Sequence, residues 1–414
     1  MSKRCITALI LILALPLLTA GAFGFDSSDF IRRTDQEWIY SGALSNSRVQ
    51  RVRISAVGDL MVHARQAEDA LRRGSGDGYN FDHAFSYIRR QFFHSDIVIG
   101  NLETTLAGPE VGFMDYPLFS APDEFAEALQ RAGFNLLSTA NNHSLDHGEE
   151  ALRRTIEVLN SLGIVQVGTY ISQEARDNIT IIEQSGITFA FLSYTYSTNG
   201  IPLPSPYMVN RLDESLFMAD IRRARGLADF VIVLPHMGTE YESFTRPRYR
   251  EVVMSMFRAG ADIVLASHPH VVQPAEFVTI IDEDGNERLG FVAYSMGNFI
   301  SGQRTRPTDA GVIFHLYFER VGDQRPVLAG VSYTPTWVRF HRNGTSLDIA
   351  VLSVYDTLTA ALWGRDTGLS QNDLNRVRAV QTETTRTISG TAIPIDAIAP
   401  EYFIDMGFRH RHIH

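Results

Sequence analysis

The feature that most constrains this chain is a recurring joint, in which a short run of β-branched and other apolar residues stops at a polar side chain. From Val49 onward such runs alternate with longer segments of helical spacing, the signature of an α/β fold. Val52 to Val57 reads as a strand that ends at Gly58-Asp59. A helix expected over Phe85 to Phe93 feeds the strand Ile97-Val98-Ile99, which ends at Asn101-Leu102-Glu103. A helix from Asp123 through Arg131, stopped by Gly133, precedes Leu136-Leu137-Ser138, which ends in Asn141-Asn142-His143. The layout recurs twice. A helix near Ser215 to Arg225 and the strand Phe230 to Leu234 lead to Pro235-His236. A helix near Tyr249 to Arg258 and the strand Ile263 to Ala266 lead to Ser267-His268-Pro269-His270. The joints around Gly133 and Gly260 look alike because both stop a helix before a buried strand, and they are not read as an internal repeat.

Strands of an α/β sheet present their C-terminal ends to a common edge, where ligands bind. Five predicted strands here end in Asp59, Glu103, Asn142 with His143, His236, and His268 with His270. Singly, each has a structural use as turn former, helix cap, Asx-turn or core histidine. Together they form a set of oxygen and imidazole donors suited to divalent Mn, Fe or Zn. A carboxylate with two oxygens can sit between two neighbouring cations, and Glu103 is the candidate for that bridge. His268 and His270, one residue apart, can face different cations. Asn142 offers a neutral carbonyl oxygen, while His143 is free to act as an acid or to meet substrate. Glu240 and Tyr241 lie just beyond His236, and Asn298 flanks Gly297 in an expected tight turn; all three are candidates for orienting ligands or touching substrate. Asp146 and His147 are expected to support the Asn142 loop. No separate Ser-His-Asp order stands out.

The rest of the chain sets limits. Lys3 and Arg4, the uncharged stretch from Cys5 to Leu18 and small residues at Ala20-Gly21-Ala22 or Ala22-Phe23-Gly24 read as a signal peptide over residues 1–22; a retained N-terminal membrane anchor is the competing reading. The expected location is therefore periplasmic or cell-surface. Residues 23–48 read as a polar linker, 49–340 as the main domain and 341–414 as a C-terminal extension, with a strand at Leu347 to Val354, a helix at Asn372 to Ala379 and a histidine-rich tail. Cys5 is the only cysteine, which removes thiols from any role in a mature chain. The formal net charge of −10, without a lysine- or arginine-rich run, argues against nucleic acid as a partner.

Six ordered motifs within roughly residues 52 to 340 carry a family resemblance: Val57-Gly58-Asp59-Leu60-Met61, Asn101-Leu102-Glu103-Thr104-Thr105-Leu106, Asn141-Asn142-His143-Ser144-Leu145-Asp146-His147-Gly148, Pro235-His236-Met237-Gly238-Thr239-Glu240-Tyr241, Ser267-His268-Pro269-His270-Val271-Val272-Gln273 and Tyr294-Ser295-Met296-Gly297-Asn298-Phe299. The series resembles that of the CapA family, associated with bacterial poly-γ-glutamate capsule synthesis and itself similar to calcineurin-like metallophosphoesterases. The resemblance implies a four-layer αββα sandwich and two divalent cations. It places Asp59 and His270 on one cation, Asn142, His236 and His268 on the other, Glu103 between them and His143 toward substrate. It also implies a metal-dependent hydrolase acting on a phosphoester or a γ-glutamyl amide, and a capsule-synthesis membrane complex as a partner. Two positions depart from the pattern. Met61 stands where metallophosphoesterases carry a histidine, and Met237 replaces a tryptophan usual in CapA proteins. Because Met61 weakens the Asp59 half, a non-catalytic protein that binds or exports an anionic polymer is the alternative expectation.

Overall fold

In the computed structural model the described residues are 30–32, 38–40, 49–76, 78–281, 287–343, 346–406 and 412–413. The expected signal segment lies outside them. Among the described residues no helix is long and apolar enough to cross a membrane. Residues 1–48 form a unit of their own. The linker expected over 23–48 holds two short strands, β1 (Phe30–Arg32) and β2 (Trp38–Tyr40), paired antiparallel.

The second unit, Val49–His414, begins with β3 (Val49–Leu60), α1 (Ala64–Arg73), α2 (Asp82–Phe85) and a 3-10 turn at Arg89–Phe92. The single helix expected over Phe85 to Phe93 is thus two short pieces. Phe85 and Phe92 both turn inward onto Phe134 and Phe299, which a bent path satisfies. There follow β4 (Ile97–Leu102), α3 (Asp123–Ala132), β5 (Leu136–Ser138), α4 (Gly148–Ser161), β6 (Val165–Val167), α5 (Gln173–Asp177), β7 (Thr180–Gln184) and β8 (Ile187–Thr195). Then come α6 (Glu214–Arg225), β9 (Phe230–His236), α7 (Pro247–Ala259), β10 (Ile263–Leu265), β11 (Ala275–Ile281), β12 (Glu287–Ala293) and β13 (Asn298–Ile300). The chain closes with β14 (Ala310–Val321), β15 (Val327–Asn343), β16 (Ser346–Ser353), α8 (Val354–Leu362), α9 (Gln371–Ser389), β17 (Tyr402–Phe403) and β18 (His412–Ile413).

These strands form two sheets of a mixed α/β protein. One runs β16-β15-β14-β3-β4-β5-β6, with β13 beside β3 and β17 beside β15; the other runs β18-β11-β12-β10-β9-β8-β7. Each has a parallel block, β3 to β6 in the first and β8-β9-β10-β12 in the second. Period-two alternation assigns the faces. Ile97 and Ile99 join Phe189, Phe191, Ile232 and Phe314 in one core shared by the two sheets. Val98 and Leu102 face α1 to α3, and Val231 and Val233 face α6 and α7. Each fully buried Phe contributes about 1.5–3 kcal/mol of transfer free energy to this core. Gly133 and Gly260 end α3 and α7 with φ of 111° and 121°, a region that glycine enters without a Cβ clash, and a parallel strand follows each.

Residue 340, expected as the end of the main domain, falls inside β15. Two sets of contacts cross that boundary: β16 pairs with β15 from Thr336 to Asn343, and apolar residues of α8 and α9 cover Trp337. Residues 341–406 therefore belong to the same body. Of the histidine-rich tail, only the backbone of His412–Ile413 is described, paired with β11.

Candidate metal centre

The parallel blocks of the two sheets bring their C-terminal ends together, and the predicted donors meet there. A register irregularity in β3 between Ala56 and Asp59 precedes the first donor. Gly58 is required at this place: a Cβ would lie 1.8 Å from the Gly297 carbonyl oxygen, which accepts the Asp59 backbone N–H at 3.0 Å. Asp59, Glu103 and His236 are fully buried, and Asn142, His143, His268 and His270 are nearly so.

Among the described residues three overlapping donor groups result, each with its donor atoms within 4.8 Å of one another: Glu103 with His236 and His268, Asp59 with Glu103 and His270, and Glu240 with His268 and His270. Glu103 is common to the first two. Asn142 joins the first group, its Oδ1 2.6 Å from His236 Nε2. Asn101 contributes from below, its Nδ2 donating to Asp59 Oδ1 at 2.8 Å and approaching His236 Nδ1 at 3.2 Å. Asn298 Oδ1 lies 3.1 Å from His270 Nδ1, the same distance as Asp59 Oδ2. With Nδ1–H held by these two acceptors, His270 Nε2 is left facing Glu103 at 3.8 Å and Glu240 at 3.9 Å. Tyr241 is half exposed, its ring 6.0 Å from that of His270, so it lies at the rim and not in the donor cluster.

The atoms left without partners show what the site lacks. Both carboxylate oxygens of Glu103 and Nδ1 of His268 are sealed from solvent with no hydrogen-bond partner in the protein. An unpaired buried carboxylate is expensive unless a cation sits beside it. Burial and the neighbouring Asp59 charge push the Glu103 carboxyl well above the usual range. Asp59 behaves oppositely: burial acts to raise it, but the His270 contact and the Asn101 hydrogen bond hold it below the carboxylate range. Burial drives His236 down to about 3 and His268 well below its ordinary value, so both are neutral imidazoles with lone pairs to offer. His270 is lifted to about 9 against the effect of burial, by Glu103 and Asp59. His268 and His270 take φ of 104° and 60°, positions that cost of order 1–3 kcal/mol for residues other than glycine. Carboxyl oxygens without a hydrogen-bond partner, the neutral imidazoles of His236 and His268 and backbone held under strain fit a divalent-cation site.

His143 stands beside this cluster. Its Nδ1 is 2.6 Å from Asp146 Oδ2, which also accepts the Phe119 backbone N–H at 2.6 Å, and the Phe119 ring meets the imidazole edge-on at 4.7 Å. Burial acts to lower its pKa, but Asp146 and Glu103 more than offset that, and the result is raised. Asp146 thus holds His143 itself as well as its loop, whereas His147 reaches the Leu118 carbonyl at 3.3 Å.

Sequence reasoning missed Asn101 and Tyr196 as individual contributors. Tyr196 follows the end of β8 and tilts over His268 with ring centroids 4.6 Å apart. Asn101 stands in the same strand-end motif as Glu103, and that placement was its available signal. Tyr196 follows a strand end without a ligand-type residue, so nothing local marked it. Met61 is buried, with its sulfur 3.9 Å from Ser301 Oγ, and donates nothing to the cluster.

Residues 53–303 match the family model described as "Bacterial capsule synthesis protein PGA_cap". The "Capsule biosynthesis protein CapA" of Bacillus anthracis is 28% identical over 279 residues, covering 64% of this chain and 64% of that relative. The "PGA biosynthesis protein CapA" of Bacillus subtilis (strain 168) is 30% identical over 284 residues, covering 63% of this chain and 67% of the relative. The match thus spans about two thirds of either relative's length. A solved structure described as a hypothetical protein from Thermus thermophilus is 18% identical with a TM-score of 0.37, covering 73% of this chain and 99% of that one. With a family model spanning more than half of its residues, and with the donor cluster built from that same stretch, the chain belongs to the bacterial capsule synthesis protein family PGA_cap.

Proposed function

We propose that this protein is an exported hydrolase of the metallophosphoesterase type that holds two divalent cations, Mn, Fe or Zn, and cleaves a phosphoester or a γ-glutamyl amide in poly-γ-glutamate synthesis or processing. The observation that carries this reading is Glu103, common to two donor groups with no hydrogen-bond partner at either carboxyl oxygen. Asn142, His236 and His268 would hold one cation and Asp59 and His270 the other, with Glu103 between them. The core between two sheets, with helices on their outer faces, supports an αββα sandwich. When bound, such a pair lowers the pKa of water toward neutrality and polarises the substrate oxygen.

The chain's own residues do the remainder. His143, whose imidazole Asp146 holds by Nδ1 and makes more basic, would donate a proton to the leaving oxygen or nitrogen. Asn298 and Asp59 fix the His270 ring so that Nε2 faces the cluster. Tyr196 and Phe119 wall the cluster beside His268 and His143. The substrate is an anionic polymer or phosphoester, and a capsule-synthesis membrane complex is the fitting partner. Incubation of Mn-, Fe- or Zn-loaded protein with a phosphoester panel and with defined poly-γ-glutamate tests the reading. Cleavage above that of Glu103→Ala supports it, and equal rates for the two overturn it.

A second reading rests on Met61 and on Asp59, whose two oxygens already accept Asn101 Nδ2 and approach His270 Nδ1. A site with one cation at the Glu103–His236–His268 half would bind a carboxylate of an anionic polymer without cleaving it. Tightly held metal of about one ion per chain, with no turnover, selects this reading.

A further inference from the structure

A second concentration of unpaired charge lies beyond the donor cluster. Val272, two residues after His270, and Ser243, two after Tyr241, line a cavity of about 430 Å³ whose other walls include Arg306, Arg376, Thr384 and Arg386. That volume falls in the range of small-ligand sites. One wall is the segment 301–309, tied to the metal centre by Asn298, whose Nδ2 donates to Gln303 Oε1 and to the Thr308 carbonyl at 3.0 Å each. The other is α9.

The charge of this cavity does not balance. Arg376 is buried and spends its guanidinium on Asp309, at 2.6 and 2.9 Å, and on Glu383 at 2.8 Å. Asp309 also accepts Trp337 Nε1 at 3.0 Å, so its oxygens are occupied. Arg306 and Arg386 are exposed and form no ion pair among the described residues. Arg304 lies over the Phe340 ring at 4.3 Å with only a 3.4 Å contact to the Val338 carbonyl. Partial desolvation depresses its pKa against the pull of Asp309, and the charges of Arg306, Arg376 and Arg65 add to that depression. An excess of guanidinium groups stands at one place in a chain of formal charge −10.

We infer that the cavity between segment 301–309 and α9 is a second anion subsite, independent of metal, which takes a carboxylate of a polycarboxylate chain through Arg306 and Arg386 while another part of that chain lies at the metal centre. The substrate class rests on the reading under Proposed function, but the subsite does not require hydrolysis. A lone phosphoester presents its charge at one place, whereas a chain with a carboxylate on every residue offers further anions for cationic groups outside the metal centre to pair. Arg304, Arg306, Arg376 and Arg386 all lie beyond residues 53–303, so family membership does not supply this site.

The test is equilibrium binding of a fluorescently labelled γ-linked glutamate decamer to full-length protein stripped of metal with EDTA. Wild type is expected to bind with an affinity that falls as salt rises, and Arg306→Ala/Arg386→Ala to bind at least about tenfold more weakly with a shallower salt dependence. Arg131→Ala, which removes a remote arginine paired with Asp82, serves as the control and is expected to match wild type. Equal affinity of the double variant and wild type overturns the subsite, as does equal binding of a γ-linked glutamine decamer. Because no metal and no turnover enter the measurement, a protein that is not a hydrolase can pass it, and a hydrolase without this subsite fails it.

Discussion

His236 and His315 are both fully buried, and burial drives both imidazoles down to about 3, yet their surroundings differ in kind. His315 lies in β14 with Ser55 Oγ 2.7 Å from Nδ1 and Thr334 Oγ1 3.2 Å from Nε2, hydroxyls that suit either tautomer. His236 stands among Asp59, Glu103, His268 and His270, where both Glu103 carboxyl oxygens and a His268 ring nitrogen have no hydrogen-bond partner. Burial and lost basicity are therefore common to a packing histidine and a candidate metal ligand. What separates them is the set of polar atoms left without a hydrogen-bond partner around the ring.

The same criterion divides the metal centre. Around Glu103, His236 and His268 the orphaned atoms gather, whereas Asp59 is held by Asn101 and approached by His270 and the His268 backbone N–H. The first half is incomplete without a cation. The second is largely satisfied within the protein, and Met61 adds no donor to it.

The largest effect that can break this comparison is expected at the shared carboxylate. Glu103→Gln should reduce hydrolysis about a thousandfold or more, the scale of transition-state stabilisation from bound cations, measured as kcat/KM on the best phosphoester or γ-glutamyl substrate. His143→Ala should lower kcat roughly 10²- to 10⁴-fold for substrates with a poor leaving group and much less for an activated ester. Loss independent of the leaving group would remove His143 from proton donation. Asn298→Ala, which frees the His270 ring, should weaken metal affinity or activity by about 10- to 100-fold. Unchanged metal titration would show that Asp59 alone positions that ring.

His315 supplies the other side of the comparison. His315→Val should cost about 1–3 kcal/mol in urea unfolding through lost hydrogen bonds and packing, while metal content per folded molecule stays at the wild-type value. Its acid response follows from the depressed pKa: the ring is neutral when folded and protonates near 6.5 when unfolded. Its contribution is present above about pH 6.5 and is lost as pH falls toward 3, by up to about 1.4 kcal/mol per pH unit. The variant should lose that part of the wild-type slope; an identical slope would show that His315 is not buried neutral.

The donor set was legible because every candidate donor lies at or just beyond the end of a strand whose apolar run is readable, and the ends of parallel strands converge. Their clustering did not depend on recognising the exact helices: Phe85 to Phe93 breaks into two pieces without moving Glu103. What stayed hidden depends on contacts between segments distant in sequence. Tyr196 reaches His268 only because β8 lies beside β9, and Asn298 reaches His270 because β13 pairs with β3. The sequence pattern weakened after Phe340 because β15, β16 and α9 bury alternating or partial faces against elements far upstream. Their part in the fold shows only in the pairing of β15 with β14 and β16.

The central claim is that Glu103 joins two cation sites, and elemental analysis of tag-free protein tests it most directly. Wild type and Glu103→Gln are compared after the same exposure to Mn, Fe or Zn and exhaustive dialysis, so that metal on the tail residues His410, His412 and His414 cancels in the difference. About two tightly held ions per wild-type chain are expected, with the loss of at least one in the variant. Equal metal content in the two proteins would contradict it.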